Sequence, residues 1–178
     1  MKIRVDTEIV LKQIEKSDAQ NIFDTINSQR SYLGQWLPFV EYTKDISDSE
    51  KYIDSVINSP EEYFELVFTI LKNDKFVGIA GFKGTDKQNK KTEIGYWLSQ
   101  KDQKQGIITK SVNKLCEYAF NELGINRVQI KCAVGNTRSK QIPKRLGFKF
   151  EGIERSGELL SGGIFTDIEV YSKLKTDK

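Results

Sequence analysis

The sequence of 178 residues contains no histidine. Without an imidazole, the chain cannot build Ser-His-Asp or Cys-His nucleophilic machinery, and it lacks the nitrogen ligand that many zinc sites use. Any general acid or base must therefore be a carboxylate, a hydroxyl, a lysine, a backbone group or water. The missing histidine excludes the hydrolases and zinc enzymes that depend on it.

Cysteine is scarce as well, and the two cysteines do not have the spacing of a metal site. Cys132 alternates with Val128, Ile130 and Val134 in a strand pattern, and Cys116 lies on the apolar stripe of a predicted helix. Such positions are typical of small buried hydrophobic residues rather than of redox or catalytic groups. The sequence therefore predicts no metal site and a reduced, cytoplasmic protein.

Long apolar runs are also missing. No segment approaches the roughly 18 apolar residues that cross a membrane, and the first residues, MKIRVDTEIV, lack the apolar core of a signal peptide. The 28 basic and 25 acidic side chains leave a net charge of only +3. This scattered excess argues against direct nucleic-acid binding, whereas it is compatible with a polyanionic small molecule as ligand.

The apolar periodicity predicts an α/β protein with the element order β-α-α-β-β-β-α-β-α-β-β, in which helices flank a mixed central sheet. Strands are predicted at residues 9–14, 62–72, 75–84, 91–99, 127–134, 149–157 and 165–174. Helices are predicted from Ala19 to Ile26, at about 47–59, from Ile108 to Leu123, and within 136–148 with an interruption at Pro143. No repeat or linker divides the chain, so one domain spanning residues 1–178 is expected.

Residues 103–109, QKQGIIT, join an aromatic strand to the longest predicted helix. The first N–H groups of a helix have no partner within it, and the helix dipole favours an anion there, so such a turn can hold a phosphate. Gly106 allows a tight turn, and Lys101, Lys104 and Lys110 add positive charge. The turn therefore predicts a phosphate site, although an ordinary strand-to-helix turn with solvated lysines has the same residues.

The turn resembles the [QR]-x-x-G-x-[GA] signature of the GNAT superfamily of acetyl-CoA-dependent N-acetyltransferases. Gln103 and Gly106 match its first and fourth positions, whereas Ile108 replaces the last small residue and Lys104 stands where many members have glycine. The strand IGYWLS, this turn and a later N-x-x-S-(7 residues)-G-F segment follow in the family's order. The resemblance covers about residues 8–174 and implies a single-domain GNAT fold, an acyl-CoA N-acyltransferase fold.

The stretch WLPF, which begins at Trp36, resembles the subgroup that acetylates protein N-termini, including the ribosomal-protein alanine and serine acetyltransferases. The resemblance implies that acetyl-CoA is the acyl donor and lies between the aromatic strand and its neighbour RVQIKCAV, with its pyrophosphate on the turn. The residues implied in binding it are Trp97, Leu98, Ser99, Gln103, Lys104, Gln105, Gly106, Ile107, Ile108, Thr109 and Asn136. Asn136 can also be a helix N-cap.

The catalytic residues are implied by the same resemblance. Many members carry a tyrosine that protonates the departing thiolate, but Pro143 occupies that position here. In the ribosomal-protein serine subgroup a serine takes this role and a glutamate is the base, which implies Ser139 as acid and Glu158 as base. Alternatively, Ser139 is a helix residue or a CoA ligand, and Glu158 is a solvated hairpin residue.

The acceptor is expected to be an amine. A protein N-terminus, with a pKa of about 7.7–8.0 against about 10.4 for lysine, is partly neutral at cytoplasmic pH, so that a carboxylate suffices as base. The family's acceptor groove implies that substrate meets Arg30, Tyr32, Trp36, Leu37 and Phe39, and related members are often homodimers. The alternatives are a small amine such as a polyamine, amino acid or aminoglycoside, and a CoA-binding domain without catalysis.

Overall fold

The computed structural model describes residues 1–60 and 64–177. In that part of the chain, eight strands form one sheet. They are β1 (Lys2–Arg4), β2 (Ile9–Gln13), β3 (Phe64–Lys72), β4 (Lys75–Asp86), β5 (Lys91–Leu98), β6 (Arg127–Ala133), β7 (Lys149–Leu160) and β8 (Ile164–Leu174). The helices are α1 (Ala19–Ser28), α2 (Arg30–Leu33), α3 (Phe39–Tyr42), α4 (Ile46–Ile57), α5 (Ile107–Asn121) and α6 (Thr137–Arg145).

The strand order across the sheet is β1-β2-β3-β4-β5-β6-β8-β7. The one parallel pair among these strands is β5 with β6, which α5 connects, and the other neighbours are antiparallel. The parallel pairing covers only three positions, from Lys91↔Arg127 to Glu93↔Gln129. Beyond Glu93 the two strands separate, and the later half of β5 has no pairing with β6.

The sheet is covered on both faces, as its alternating side chains require. On one face, α5 packs through Val112 and Leu115 against a core that includes Phe68 and Phe82. On the other face, α1 and α4 bury a smaller apolar cluster that includes Val67 of β3. Cys116 and Cys132 are buried free thiols, as predicted. None of the described helices is long and apolar enough to cross a membrane.

The predicted order of elements and the mixed sheet are confirmed, with local differences. The strand β1 and the four-residue helices α2 and α3 were not predicted, because such short segments show too little periodicity. Helix α4 begins earlier than predicted because the Asp45 carboxylate caps it, accepting the Ser47 N–H at 2.8 Å. Two residues of the predicted strand 62–72, at positions 62 and 63, lie outside the described residues.

The predicted interruption at Pro143 is wrong, because α6 continues through it to Arg145. A proline within a helix removes the N–H that would bond to the carbonyl four residues earlier, here that of Ser139. The Tyr96 hydroxyl of β5 donates to that carbonyl instead, at 3.0 Å. A tertiary hydrogen bond thus satisfies the Ser139 carbonyl, which the proline leaves without a donor. The sequence of the segment alone cannot show that such a contact forms.

Candidate active site

The separation of β5 from β6 opens two clefts that meet inside the sheet. The large cleft, of about 830 Å³, is bordered by β5, the turn before α5, α6 and the α2–α3 loop. The small cleft, of about 320 Å³, lies among β4, β5, β6 and the β7–β8 hairpin. The two clefts share five of their lining residues, which are Trp36, Leu37, Tyr96, Asn136 and Ser139. We call these five residues the shared wall, because reactants from the two clefts would meet there.

The turn before α5 supplies a row of hydrogen-bond donors to the large cleft. Gly106 is the N-cap residue and has φ 73° and ψ 3°, the left-handed conformation that glycine adopts without strain. Lys104, where the family commonly has glycine, also has a positive φ, of 62°. Among the described residues, the N–H groups of residues 104–109 have no acceptor, and the first helical bond is from Lys110 to Gly106, at 3.0 Å. Unpaired amides at a helix start suit a phosphate.

Gln103 ties the two sides of the large cleft together. Its Oε1 accepts from Arg138 Nη1 of α6 at 3.0 Å, and its Nε2 donates to the Tyr32 hydroxyl of α2. Burial raises the pKa of Tyr32, so this phenol remains a neutral hydrogen-bonding partner. The residues predicted to bind the donor that line this cleft are Trp97, Leu98, Gln103, Lys104, Gly106, Ile107, Ile108, Thr109 and Asn136.

Ser99 and Gln105 were predicted with that group but do not line the cleft. Ser99 is buried, and its hydroxyl accepts from Gln29 Nε2 at 3.1 Å. The same glutamine accepts the Gln100 N–H at 2.7 Å, so Gln29 fixes the end of β5. The Gln105 side chain accepts from Lys72, the last residue of β3. These contacts give both residues a structural role in shaping the turn.

A chain of hydrogen bonds crosses the shared wall. The Ser139 hydroxyl lies 3.2 Å from the Tyr96 hydroxyl and 3.3 Å from Cys132 Sγ. Asn136 caps α6 by accepting the Ser139 N–H at 3.1 Å, as the N-cap interpretation of this residue predicted. Burial raises the pKa of Tyr96 well above its ordinary value, and it raises the pKa of Cys132 too. These groups therefore stay protonated and hold Ser139 at the junction of the clefts.

Replacing Tyr96 with phenylalanine should leave the Ser139 carbonyl without its donor, because Pro143 supplies no N–H. We expect the free energy of unfolding in urea to fall by about 1 kcal/mol or more, because this partly buried carbonyl loses its hydrogen-bond donor. Tyr118→Phe is the matched control, since within residues 1–60 and 64–177 the one contact of the Tyr118 hydroxyl is an exposed one with the Met1 sulfur, at 3.5 Å. Equal losses in the two variants would contradict this role for Tyr96.

Glu158 reaches the small cleft from the edge strand β7. Partial burial raises its pKa, the Lys83 charge opposes this shift and the Glu93 charge adds to it. No side chain among the described residues forms an ion pair with Glu158. A carboxylate with a raised pKa, and without a fixed partner beside a reactive cleft, has the properties of a general base.

The other charges of the small cleft are paired. Lys83 Nζ lies 2.8 Å from Glu93 Oε1, and Gln129 Nε2 donates to the same carboxylate at 3.2 Å. Lys131 lies 2.8 Å from Glu154, just outside the cleft. The lining therefore carries two lysines, Lys83 and Lys131, and two glutamates, Glu93 and Glu158, and is close to neutral.

The residues predicted on the acceptor side divide into two groups. Trp36 and Leu37 belong to the shared wall, and Tyr32 lines the large cleft, but Arg30 and Phe39 line neither. Arg30 of α2 instead donates to the carbonyl oxygens of Val40 and Thr43, at 2.9 and 2.5 Å, so it holds α3 and its C-terminal end against α2. Phe39, the first residue of α3, is exposed.

Several lining residues were not predicted as site residues, among them Lys83, Glu93, Tyr96, Arg138 and Arg145. Tyr96 stands inside the strand that carried the family resemblance, two residues from Leu98 and therefore on the same face. This two-residue spacing from a predicted donor-binding residue could have identified Tyr96 as a site residue. Lys83 and Glu93 meet across the β4–β5 register, which sequence spacing alone does not fix.

Comparison with known proteins agrees with this geometry. The family model described as an acetyltransferase (GNAT) domain matches residues 8–149. YdaF of Bacillus subtilis strain 168, named as a candidate ribosomal N-acetyltransferase, is 35% identical over 178 residues, which cover 98% of this chain and 95% of YdaF. The match confirms the predicted family.

Two solved structures are similar over nearly their whole length. RimL, a ribosomal L7/L12 alpha-N-protein acetyltransferase in complex with coenzyme A, has a TM-score of 0.93 and 26% identity, covering 99% of this chain and all of RimL. The microcin C7 self-immunity acetyltransferase MccE, in complex with acetyl-CoA and AMP, has a TM-score of 0.88 and 32% identity, covering 97% of this chain and 95% of MccE. With its eight-stranded mixed sheet and the matching family model, this chain belongs to the GNAT family of acetyltransferases.

Proposed function

We propose that this protein transfers the acetyl group of acetyl-CoA to the N-terminal α-amine of a protein, such as a ribosomal protein. The observation that carries the proposal is the pair of clefts that share a wall, with Glu158 among the residues that line the small cleft. RimL and YdaF, whose names refer to ribosomal acetylation, support the acceptor class. The small cleft would take the amine and the large cleft the thioester.

The large cleft fits the acyl donor by its chemistry. The unpaired amides of residues 104–109 would bind the pyrophosphate, with Lys104 adding charge. The pantetheine arm carries amide groups that can pair with the free edge of β5 at Trp97 and Leu98, much as an added strand does. Bound in this way, the thioester would reach Tyr96 and Ser139 at the shared wall.

The reaction forms one amide bond and breaks one thioester bond. Glu158 would take the proton of the α-ammonium, directly or through one water, so that the neutral amine attacks the thioester carbonyl. A backbone N–H near the end of β5 would stabilise the oxygen as charge develops on it. When the tetrahedral intermediate collapses, the CoA thiolate would leave and take a proton from Ser139. Ser139 would regain a proton from the nitrogen of the intermediate, so that a neutral amide, free CoA thiol and an intact hydroxyl remain.

The charge of the small cleft favours an α-amine over a polycation. Polyamines and aminoglycosides carry several positive charges, and a cleft rich in carboxylates would suit them. The lining here offers two lysines against two glutamates, and one of those glutamates, Glu93, is already paired with Lys83. A singly charged N-terminus needs only Glu158, whereas a polycation would find no second unpaired carboxylate among the residues that line this cleft.

A thiol-release assay with acetyl-CoA tests this proposal. Peptides that begin with serine or alanine, spermidine, free amino acids and an aminoglycoside should be compared at equal concentration. We expect peptide-dependent release of CoA and little release with the polycations. Faster release with spermidine would favour a small-amine enzyme, and binding of acetyl-CoA without turnover of any amine would favour a CoA-binding domain.

We also propose that the protein acts in the cytoplasm as a homodimer. The buried free thiols and the ribosomal relatives support a reducing compartment. Exposed apolar residues cluster on the β7–β8 hairpin, and such a patch usually marks a contact surface. These residues, between 49% and 64% exposed, are Phe150, Ile153, Leu159, Ile164 and Phe165. Sedimentation equilibrium should give the mass of two chains, and a mass of one chain would contradict the dimer.

A further inference from the structure

The strand that carries Glu158 bulges just before it. Glu154 pairs with Ile168 and Glu158 pairs with Thr166, so four steps along β7 span only two steps along β8. Two extra residues are therefore accommodated between these pairs, and Ser156 turns through a left-handed φ of 50°. Without this bulge, the side chains that follow on β7 would lie at different positions relative to the small cleft.

Two contacts hold the bulge in place. The Asp167 carboxylate of β8 accepts the Ser156 N–H at 2.8 Å. The same residue is tied to the sheet because its carbonyl accepts the Val134 N–H at 3.0 Å. Gly157 then passes so close to β8 that a Cβ atom there would lie 3.0 Å from Ile168 Cγ1. Gly157, Glu158 and Ile168 all line the small cleft.

We propose that Asp167 is a positioning residue for Glu158: by anchoring the bulge at Ser156, it sets where the carboxylate of the proposed base lies in the small cleft. This inference rests on the proposed function, since it concerns the same base. Asp167 does not line either cleft and acts only through the backbone of β7. A small displacement of a base from its working position lowers turnover strongly, because proton transfer requires hydrogen-bond distance.

The test is a double-mutant cycle with acetyl-CoA and a peptide that begins with serine. We expect Asp167→Ala to lower kcat about ten-fold while KM for acetyl-CoA stays unchanged, because the large cleft is untouched. Asp167→Asn keeps an oxygen that can accept the Ser156 N–H, so most of kcat should be retained. Asp86→Ala is the matched control, since it removes a similar 2.8 Å bond, to the Asn89 N–H, in another hairpin.

The most informative variant of the cycle combines Asp167→Ala with Glu158→Gln. If Asp167 acts through Glu158, the second substitution should change the residual rate less than about two-fold, since the positioned group is already gone. A full ten-fold further loss, wild-type turnover in Asp167→Ala, or an equal loss in Asp167→Asn would overturn the proposal. Glu158→Gln alone reports on the proposed base, so failure of the base and failure of the anchor give different results.

Discussion

Glu158→Gln is expected to lower kcat by about 10²- to 10⁴-fold, the usual contribution of a positioned general base. Glutamine keeps the shape of the side chain but cannot take the proton of the acceptor ammonium. The Kd for acetyl-CoA should stay unchanged, because Glu158 lines the small cleft and not the large one. Steady-state kinetics with a serine-initiated peptide and calorimetric titration of acetyl-CoA measure the two quantities.

Glu151→Gln is the matched control on the same strand. Glu151 pairs with Arg127 and Ser172 outside both clefts, so its loss should leave kcat unchanged. The pH profile adds an independent criterion. Burial raises the pKa of Glu158 above its ordinary 4.5, so wild-type kcat should fall as the pH drops through this raised value and the base becomes protonated. Full turnover in Glu158→Gln, or an unchanged acidic limb in that variant, would exclude Glu158 as the base.

Gly106→Val should weaken acetyl-CoA binding about ten-fold or more. Valine is strained at φ 73°, at about 1–3 kcal/mol, and relief of this strain would move the amides that face the large cleft. A Cβ atom at this position meets no protein atom within 4 Å, so the added side chain would project into space beside the turn where the pyrophosphate is proposed to bind. Calorimetric titration of acetyl-CoA gives the change in Kd.

Gly124→Val separates binding from folding. Gly124 has a φ of 66° and equally open surroundings, but it lies beyond the other end of α5 and away from the clefts. Both substitutions should lower the free energy of unfolding by a similar amount, because the backbone strain is alike, and only Gly106→Val should change the Kd. Equal Kd values for acetyl-CoA in the two variants would contradict the proposal that the pyrophosphate binds at this turn.

The fold was largely predictable because its long elements have clear periods. The apolar stripe of α5 and the alternation in β6 identify a parallel crossover unit, and the structure contains it. The course of α6 through Pro143 was not predictable, since it depends on the Tyr96 hydroxyl reaching the Ser139 carbonyl from another element. A single sequence shows which secondary structure a segment prefers by itself, whereas tertiary contacts can stabilise a conformation that the segment does not prefer.

The site was predictable where it depends on backbone and on motif spacing. Gly106 and the following residues lie at the start of α5, where their amides face a cleft, and this placement follows from the strand–turn–helix pattern alone. The charges of the small cleft could not be foreseen, because Lys83 and Glu93 meet through strand register. Arg30 was expected to meet substrate, but its guanidinium donates to carbonyl oxygens in α3 and at its end, which no spacing indicates.

The most direct test uses one peptide that begins with serine and contains an internal lysine. After incubation with acetyl-CoA, tandem mass spectrometry locates the acetyl group on the product. We expect it on the α-amine with the wild-type protein, and almost no product with Glu158→Gln. Acetylation of the lysine, or turnover of spermidine without any peptide product, would contradict the proposal that this GNAT protein acetylates protein N-termini.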